Sequence, residues 1–311
     1  MPSGKRRSPG AFAALAVPVL LAALSGCATT PAHPPVATSG VVTVVAAEGV
    51  WGDLAAQLGG AHAKVTSIID NPATDPHDYE PTAPDAIAVS RADLAIVNGI
   101  GYDTWARRMI DADPDPHRTV IDVGETVGVP NGGNPHRWYS PTDVRTVIDT
   151  ITSDYAAIDP AHATYFREQH DRVLGVALKP YFDAIAQIKA AYAGTPVGAS
   201  ESIFAPLAGA LGLDLLTPAS FLAAVSEGTD PSAADKAAID AQIDTGKIRV
   251  YVYNSQNATP DVSRQVDEAG AHHIPVTIVT ETPTPAGVSF EDWQVAQLTA
   301  LRAALAQAAG A

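Results

Sequence analysis

Hydrophobic positions in the first part of the chain follow two alternating patterns. Short apolar runs rich in β-branched residues predict strands, and between them apolar residues recur every three or four positions, as on one face of a helix. The predicted strands span residues 41–47, 64–69, 94–98 and 119–123, and the predicted helices span residues 50–58, 82–90 and 104–111. This strand–helix order is typical of a parallel sheet with helices on both faces.

Between residues 143 and 194 the strand signals disappear and a helical pattern remains. Apolar side chains recur there at spacings of three, four or seven residues: Phe166, Val173, Ala177, Tyr181, Ile185, Ile188 and Tyr192. The pattern predicts one long helix over residues 143–194, which Pro180 should bend or end at about that point.

The last part of the chain repeats the strand–helix alternation. Predicted strands span residues 196–199, 213–216, 248–253 and 275–279, and predicted helices span residues 203–211, 233–243, 259–269 and 290–309. We therefore predict an α/β fold with two parallel-sheet lobes, residues 41–142 and 195–311, joined by the long helix at 143–194. In open parallel sheets ligands bind beyond the carboxyl ends of the strands, so we expect a site in the cleft between the lobes.

The amino terminus carries a targeting signal. Residues 5–7 are Lys-Arg-Arg, and residues 11–24 form an apolar run. This arrangement is typical of a secretory signal peptide, and the run is shorter than the roughly 20 residues that a membrane-spanning helix needs. We assign residues 1–26 to the signal peptide.

The signal peptide ends in a sequence that predicts a lipid anchor. Residues 24–27 read Leu-Ser-Gly-Cys, which resembles the bacterial lipobox, in which the cysteine is acylated and becomes the mature amino terminus. Residues 27–40 then read as the anchor and a flexible tether. Cys27 is the only cysteine of the chain, which excludes an internal disulfide and a thiolate metal site. The simpler alternative is a secreted protein with an incidental cysteine.

The charge balance excludes one class of partner. The chain has a formal net charge of -15, and only 17% of its residues are charged. An acidic surface without a basic patch repels phosphates, so we exclude nucleic-acid binding.

Four polar residues lie past the ends of predicted strands and are candidate metal ligands. His77 and His136 lie in proline-containing loops of the first half, and Glu201 and Glu281 follow strands of the second half. Two imidazoles and two carboxylates suit first-row divalent metals such as Mn, Fe or Zn. They do not suit copper(I), which prefers sulfur, or calcium, which prefers oxygen cages.

Each candidate also has a simpler interpretation. A histidine in a loop is more often exposed than bound to a metal, and Glu201 could simply complement the dipole of the helix that it precedes. We expect His272 and His273 at the surface, on the opposite edge of the sheet. The remaining histidines lie in the tether, in loops or on helix faces without a partner carboxylate at ligand spacing: His33, His62, His117, His162 and His170.

Three stretches of the chain carry a family resemblance. Residues 75–82 read Asp-Pro-His-Asp-Tyr-Glu-Pro-Thr, residues 134–141 read Asn-Pro-His-Arg-Trp-Tyr-Ser-Pro, and residues 200–204 read Ser-Glu-Ser-Ile-Phe. These resemble the signatures of zinc/manganese-family metal-binding lipoproteins, the solute-binding components of bacterial metal ABC importers. The similarity extends from about residue 41 to the end of the chain.

The resemblance implies two Rossmann-like lobes joined by one long helix, with a metal ion between them. It implies His77, His136, Glu201 and Glu281 as the metal ligands. It also implies an extracytoplasmic, lipid-anchored monomer that is not an enzyme and delivers the metal to an ABC transporter permease and its ATPase.

The sequence departs from the family pattern at several positions. Asn134 replaces the usual aspartate of the second motif, and Glu281 replaces the usual aspartate as last ligand. Zinc-binding members tend to have a third histidine where this chain has Glu201, and they often carry a histidine-rich loop that residues 111–134 lack. These points favour manganese or iron, although zinc binds more tightly than manganese at most N/O sites.

Two other functions use the same features differently. A metal-dependent hydrolase would share the ligands but needs an open coordination position and a general base. A lipoprotein adhesin would need no metal at all.

Overall fold

Two four-stranded parallel sheets organise the part of the chain that the structure, a computed structural model, describes: residues 40–74 and 79–310. The predicted signal peptide, the predicted lipidation site Cys27 and the candidate ligand His77 lie outside the described residues.

The first lobe contains β1 (Val42–Glu48), α1 (Gly49–Gly59), β2 (Ala63–Ile69), α2 (Ala83–Ser90), β3 (Leu94–Val97), α3 (Thr104–Ala112), β4 (Thr119–Asp122) and α4 (Val123–Val127). The strand order is β2-β1-β3-β4, and all neighbours are parallel. The predicted strands and helices of this lobe are confirmed, and α4 was not predicted. The predicted start of α2 is a capping box in which Thr82 N and Oγ1 donate to Asp85 Oδ2, both at 2.7 Å.

The link between the lobes is helical, but it is two helical stretches rather than one. It contains α5 (Pro141–Ile158), α6 (Ala163–Arg172), a π-helical turn (Val173–Ala177) and α7 (Lys179–Tyr192). The interruption lies at Asp159, whose φ of -124° and ψ of 78° are not helical. A residue that precedes proline is disfavoured in the helical region, and Pro160 follows Asp159. The expected disturbance at Pro180 is the π-helical turn that precedes α7.

The second lobe contains β5 (Pro196–Ala199), α8 (Ala205–Leu211), β6 (Asp214–Leu215), α9 (Ala219–Ser226), α10 (Ala233–Asp244), β7 (Val250–Asn254), α11 (Pro260–Ala271), β8 (Val276–Val279) and α12 (Phe290–Ala309). Its strand order, β6-β5-β7-β8, is the same as in the first lobe, and the strands are again parallel. The predicted α/β fold with two parallel-sheet lobes is confirmed. Helix α9 was missed, because its sequence, ASFLAAVS, is apolar almost throughout and shows no helical period.

Direct contacts tie the lobes together. One hydrophobic cluster includes Val44 of β1 and Val197 of β5. The Tyr139 hydroxyl donates to the Thr280 carbonyl at 2.8 Å, and the Phe290 amide donates to Asp53 Oδ2 at 2.9 Å. Among the described residues, no helix has both the length and the hydropathy to cross a bilayer.

Candidate metal centre

Three of the four predicted ligands lie together. Atoms of His136, Glu201 and Glu281 that can bind a metal are all within 4.8 Å of one another. All three residues are buried, with exposed fractions of 0%, 1% and 8%. The carboxyl ends of parallel strands meet at one edge of each sheet, and the three side chains, which come from both lobes, lie together beyond these edges.

The loop of His136 is held in place from both sides. Asn98 directly follows β3. Its side-chain Oδ1 accepts from Trp51 Nε1 at 3.0 Å, and its side-chain Nδ2 donates to the Pro135 carbonyl at 3.0 Å. On the other side, Asn134 Nδ2 donates to the Ser202 carbonyl at 2.6 Å. The imidazole therefore has a fixed position between the lobes.

Asn134 also sets the tautomer of His136. Its Oδ1 accepts the His136 amide at 3.0 Å and lies 3.0 Å from His136 Nδ1. An amide oxygen can only accept, so Nδ1 carries the proton and Nε2 carries the lone pair. Asparagine replaces the aspartate of the family motif here, and its amide can donate to the Ser202 carbonyl, which a carboxylate could not do.

The Nε2 lone pair of His136 faces a carboxylate. His136 Nε2 and Glu201 Oε1 are 3.7 Å apart. An ion about 2.0–2.2 Å from each atom fits between them.

Asn254 binds both carboxylates with one amide group. Its Nδ2 lies 2.7 Å from Glu201 Oε2 and 2.9 Å from Glu281 Oε1, so its two N–H groups serve two different acids. Its Oδ1 accepts from the Gln256 amide at 3.0 Å, and its own backbone amide donates to Ser200 Oγ at 3.0 Å. Asn254 is fully buried, so its amide sets the spacing of the two acids.

Further neutral donors complete the carboxylate surroundings. Ser226 Oγ donates to Glu201 Oε1 at 3.2 Å, and the Tyr102 hydroxyl donates to Glu281 Oε2 at 2.6 Å. The backbone amide of Glu281 donates to Gln256 Oε1 at 2.6 Å. These donors orient the acids without adding positive charge, so the negative potential remains for a cation.

The two acids do not both ionise readily. Burial, and then the negative charge of Glu281, raise the pKa of Glu201 to about 8. Burial and the same charge raise the pKa of Tyr102 well above its usual value, so its hydroxyl remains a donor. At neutral pH the metal-free centre therefore holds a proton that a bound cation would displace.

Two more buried acids lie near this centre. Glu48, the last residue of β1, has a raised pKa because of burial and the nearby charge of Asp103, and the charge of Glu48 contributes to the raised pKa of Tyr102. Asp103 accepts the Asn98 amide at 2.6 Å and the Gly99 amide at 2.9 Å. Sequence reasoning did not single out either acid.

The segment that carries His77 begins beside the same centre. Gln256, which binds the Glu281 amide, also donates through Nε2 to the Pro72 carbonyl. After the segment, the Tyr79 hydroxyl donates to Asp85 Oδ2 at 2.8 Å, and the Tyr79 ring packs on Trp105 with centroids 4.8 Å apart. The ligation of a metal by the four predicted residues stays a prediction.

A cleft of about 450 Å³ lies next to the centre. Its lining comes from both lobes and includes Tyr102 and Ser226, the donors to the two carboxylates, together with Asn134 and Ser202. The cleft therefore borders residues that contact the candidate ligands.

The expectations for the other histidines were partly wrong. His272 and His273 are exposed, as predicted. The prediction that the remaining histidines lack a partner carboxylate is wrong for two of them. His162 Nδ1 is 2.6 Å from Asp159 Oδ2, and His170 Nε2 is 2.7 Å from Asp149 Oδ1. His162 and Asp159 are three positions apart, so the signal was available in the sequence.

We expect Asn254→Ala to weaken metal binding by about 10–100-fold, the usual cost of losing a group that orients metal ligands. The variant removes the donor that both carboxylates share. Asn257→Ala is the matched control, because Asn257 Nδ2 contacts one of the two carboxylates, Glu201 Oε2, at 3.4 Å, and donates to the Val225 carbonyl at 3.0 Å. Calorimetric titration of both variants with one metal measures the effect, and an equal loss in the two would contradict the role of Asn254.

Residues 44–304 match the model of the family described as ZnuA, zinc-uptake complex component A periplasmic. The manganese-binding lipoprotein MntA of Halalkalibacterium halodurans is 30% identical over 128 residues, which are 40% of this chain and 42% of that protein. The iron-binding protein YfeA of Yersinia pestis is 32% identical over 162 residues, which are 50% of this chain and 52% of that protein. The chain spans about half the length of the curated relatives it matches.

A solved structure has the same fold. It is a Mn-bound periplasmic metal binding protein from Candidatus Liberibacter asiaticus, with a TM-score of 0.69 and 20% sequence identity, covering 85% of this chain and 99% of that one. At this identity the likeness concerns the fold alone.

Proposed function

This chain belongs to the family of zinc-uptake complex component A, periplasmic, and on that basis we propose that it binds a divalent transition metal ion as transport cargo. It captures the ion outside the cytoplasmic membrane and passes it to the permease of an ABC transporter, which an ATPase drives. It acts as a monomer and catalyses no reaction.

One observation carries the proposal. His136, Glu201 and Glu281 come from separate parts of the chain, yet their ligand atoms lie within 4.8 Å of one another in a buried centre. Burial and the charge of Glu281 raise the pKa of Glu201 to about 8, and a divalent cation bound between the two acids would compensate that unfavourable charge.

His77 supplies the fourth ligand in this proposal. His77 follows Pro72 by five positions, and the Pro72 carbonyl accepts from Gln256 at the same centre. The set is then two neutral imidazoles and two carboxylates, which suits a tetrahedral or higher-coordinate divalent ion.

Manganese, zinc and iron all fit this set of donors. The two carboxylates neutralise the charge of a divalent ion and make the centre richer in oxygen than a three-histidine site, which favours manganese or iron. Zinc still forms the tighter complex at most N/O sites. The cargo is therefore decided by supply outside the cell as well as by the ligands.

Anchoring follows from the amino terminus. Acylation of Cys27 places the protein on the extracytoplasmic face of the membrane, and residues 27–40 tether it there. The tether lets the folded lobes reach the permease while the protein stays close to the bilayer.

The proposal predicts a large stabilisation by metal. A ligand that binds only the folded state adds about 4 kcal/mol at a thousandfold excess over its Kd. We expect Mn²⁺, Zn²⁺ and Fe²⁺ to raise the melting temperature of the metal-free protein, and Mg²⁺ at the same concentration, the control, to leave it unchanged. Metal analysis of protein purified without added metal should find one of these ions.

The same experiment separates the alternatives. An adhesin without a metal role gives no shift with any ion, and that result would refute the proposal. A hydrolase gives the shift but also turns over a phosphoester or carboxylic ester substrate in the presence of the metal, whereas a transport receptor gives no turnover.

A further inference from the structure

His62, Asp159 and His162 form a second cluster of metal-ligand side chains, away from the cleft. His62 directly precedes β2, so it lies at the amino end of that strand. The centre described above lies beyond the carboxyl ends of the strands. The seven residues of β2 at about 3.3 Å each place some 20 Å between the two ends.

The ligand atoms of this cluster are close to one another. The rings of His62 and His162 are stacked with centroids 3.8 Å apart and an angle of 25° between their planes. Asp159 Oδ2 lies 2.6 Å from His162 Nδ1. Each of the three side chains offers a ligand atom within 4.8 Å of the other two.

The surrounding fold holds these side chains in position. Asp159 ends α5, where its amide donates to the Tyr155 carbonyl at 2.9 Å, and the His162 amide donates to the Asp159 carbonyl at 3.1 Å. On the other side, the His62 ring packs edge-on against Tyr165, with centroids 4.5 Å apart. The Tyr165 hydroxyl accepts the Ala61 amide at 3.1 Å.

Exposure differs within the cluster in a way that suits an exchangeable ion. The Asp159 side chain is 4% exposed, whereas the His162 side chain is 35% exposed and His62 is half-buried. The carboxylate is therefore a fixed negative charge under two imidazoles that solvent can reach. In a tetrahedral site, ligand atoms about 2.0–2.1 Å from the ion lie closer together than 4.8 Å, so binding requires the two partly exposed rings to turn towards the ion.

We propose that His62, His162 and Asp159 form a second divalent-cation site, separate from the cleft and independent of its function. Two imidazoles and one carboxylate prefer Zn²⁺, Ni²⁺ or Cu²⁺ over Mn²⁺. With three protein groups and open coordination positions, the site exchanges its ion with solvent. It binds more weakly than the buried four-ligand centre.

The test is a calorimetric titration of the metal-free full-length chain with Zn²⁺ alone. We expect a tight and a weak equivalent in the wild-type protein, and loss of the weak one in a His62→Asn/His162→Asn variant. The matched control, His117→Asn/His272→Asn, removes two exposed histidines elsewhere and should keep both equivalents. A wild-type chain with no weak equivalent, or a weak equivalent that survives in the first variant, would overturn the proposal.

Two further measurements guard against a misfolded variant and against confusion with the cleft. In the wild-type protein, Zn²⁺ should shift the NMR signals of the His62 and His162 ring protons and leave those of His117 and His272 in place, and the absence of this shift refutes the second site. In a His136→Gln/Glu201→Gln variant the weak equivalent should remain, even if the tight one is lost or was never present.

Discussion

Replacing Glu201 with glutamine is expected to abolish metal-induced stabilisation while making the metal-free protein more stable than wild type above pH 8. The two effects have opposite signs because a carboxylate at this position attracts a cation but is itself disfavoured by burial in the metal-free fold. Glutamine keeps the shape of the side chain and an oxygen for the Asn254 amide, which lies 2.7 Å from Glu201 Oε2. It removes the charge that a divalent ion needs.

The sign of the stability change follows from the raised pKa of Glu201, about 8 in the folded protein. A carboxyl group titrates near 4.3 in an unfolded chain. A group whose pKa is raised on folding contributes stability that is complete below its unfolded pKa and is lost as the pH rises through its folded pKa. The metal-free wild type therefore loses stability between about pH 4.5 and pH 8, and glutamine, which does not titrate, avoids that loss.

Melting curves from pH 5 to pH 9, with and without Mn²⁺, measure both effects. At a thousandfold excess over the wild-type Kd, the gain of about 4 kcal/mol should fall close to zero in Glu201→Gln. Glu227→Gln is the control, because Glu227 is an exposed acid that lines the same cleft. A Glu201→Gln protein that keeps the wild-type gain would exclude Glu201 as a ligand.

The order of strands and helices could be predicted because each element repeats a local pattern. Buried parallel strands such as β3, which is buried at all four positions, appear in the sequence as short β-branched runs. Two of the three described candidate ligands could be proposed for a related reason, since Glu201 and Glu281 come two positions after β5 and β8, whereas His136 lies in a loop after α4. Neither inference required knowledge of contacts between distant residues.

The surroundings of the ligands could not be predicted in this way. Tyr102 and Glu281 are 179 positions apart, and their hydrogen bond depends on how the lobes pack. Asn254 is different, because it is the last residue of β7 and so lies at the carboxyl end of a strand, where site residues are expected. Its side-chain amide is not a typical ligand for these metals, so ligand chemistry alone does not indicate Asn254, although neutral amides orient such ligands.

The helical link was predicted wrongly because the prediction followed a long apolar pattern and ignored a local proline rule. The apolar period from Phe166 to Tyr192 predicted one helix over residues 143–194, yet Asp159 and Pro160 separate α5 from α6. The preference of a pre-proline residue for extended backbone was the stronger signal. The same interruption positions Asp159 beside His162.

Metal affinity is expected to rise about tenfold for each pH unit between pH 6 and pH 8 and to level off above pH 8. The reason is that Glu201, with a pKa of about 8, holds a proton in the metal-free protein that the ion must displace. Below the pKa of Glu201, each unit by which the pH falls makes this ionisation about tenfold less favourable. A change from pH 8 to pH 6 should therefore weaken binding by about 100-fold.

Calorimetric titration with Mn²⁺ in two buffers of different ionisation enthalpy counts the protons directly. We expect about one proton released per ion at pH 6.5, and close to none at pH 9, where Glu201 is already ionised. The control is the Glu201→Gln variant at higher metal concentration, whose residual binding should lack this proton. Constant affinity across the range, with no proton released, would contradict the coupling.

Such a coupling makes the proposed binding of metal by this chain sensitive to pH. In the metal-free state the neutral donors Asn254, Ser226 and Tyr102 hold the two acids in place, and the shared proton lowers the repulsion between them. Because binding requires Glu201, whose pKa is about 8, to lose its proton, acidification alone is expected to promote release of the ion.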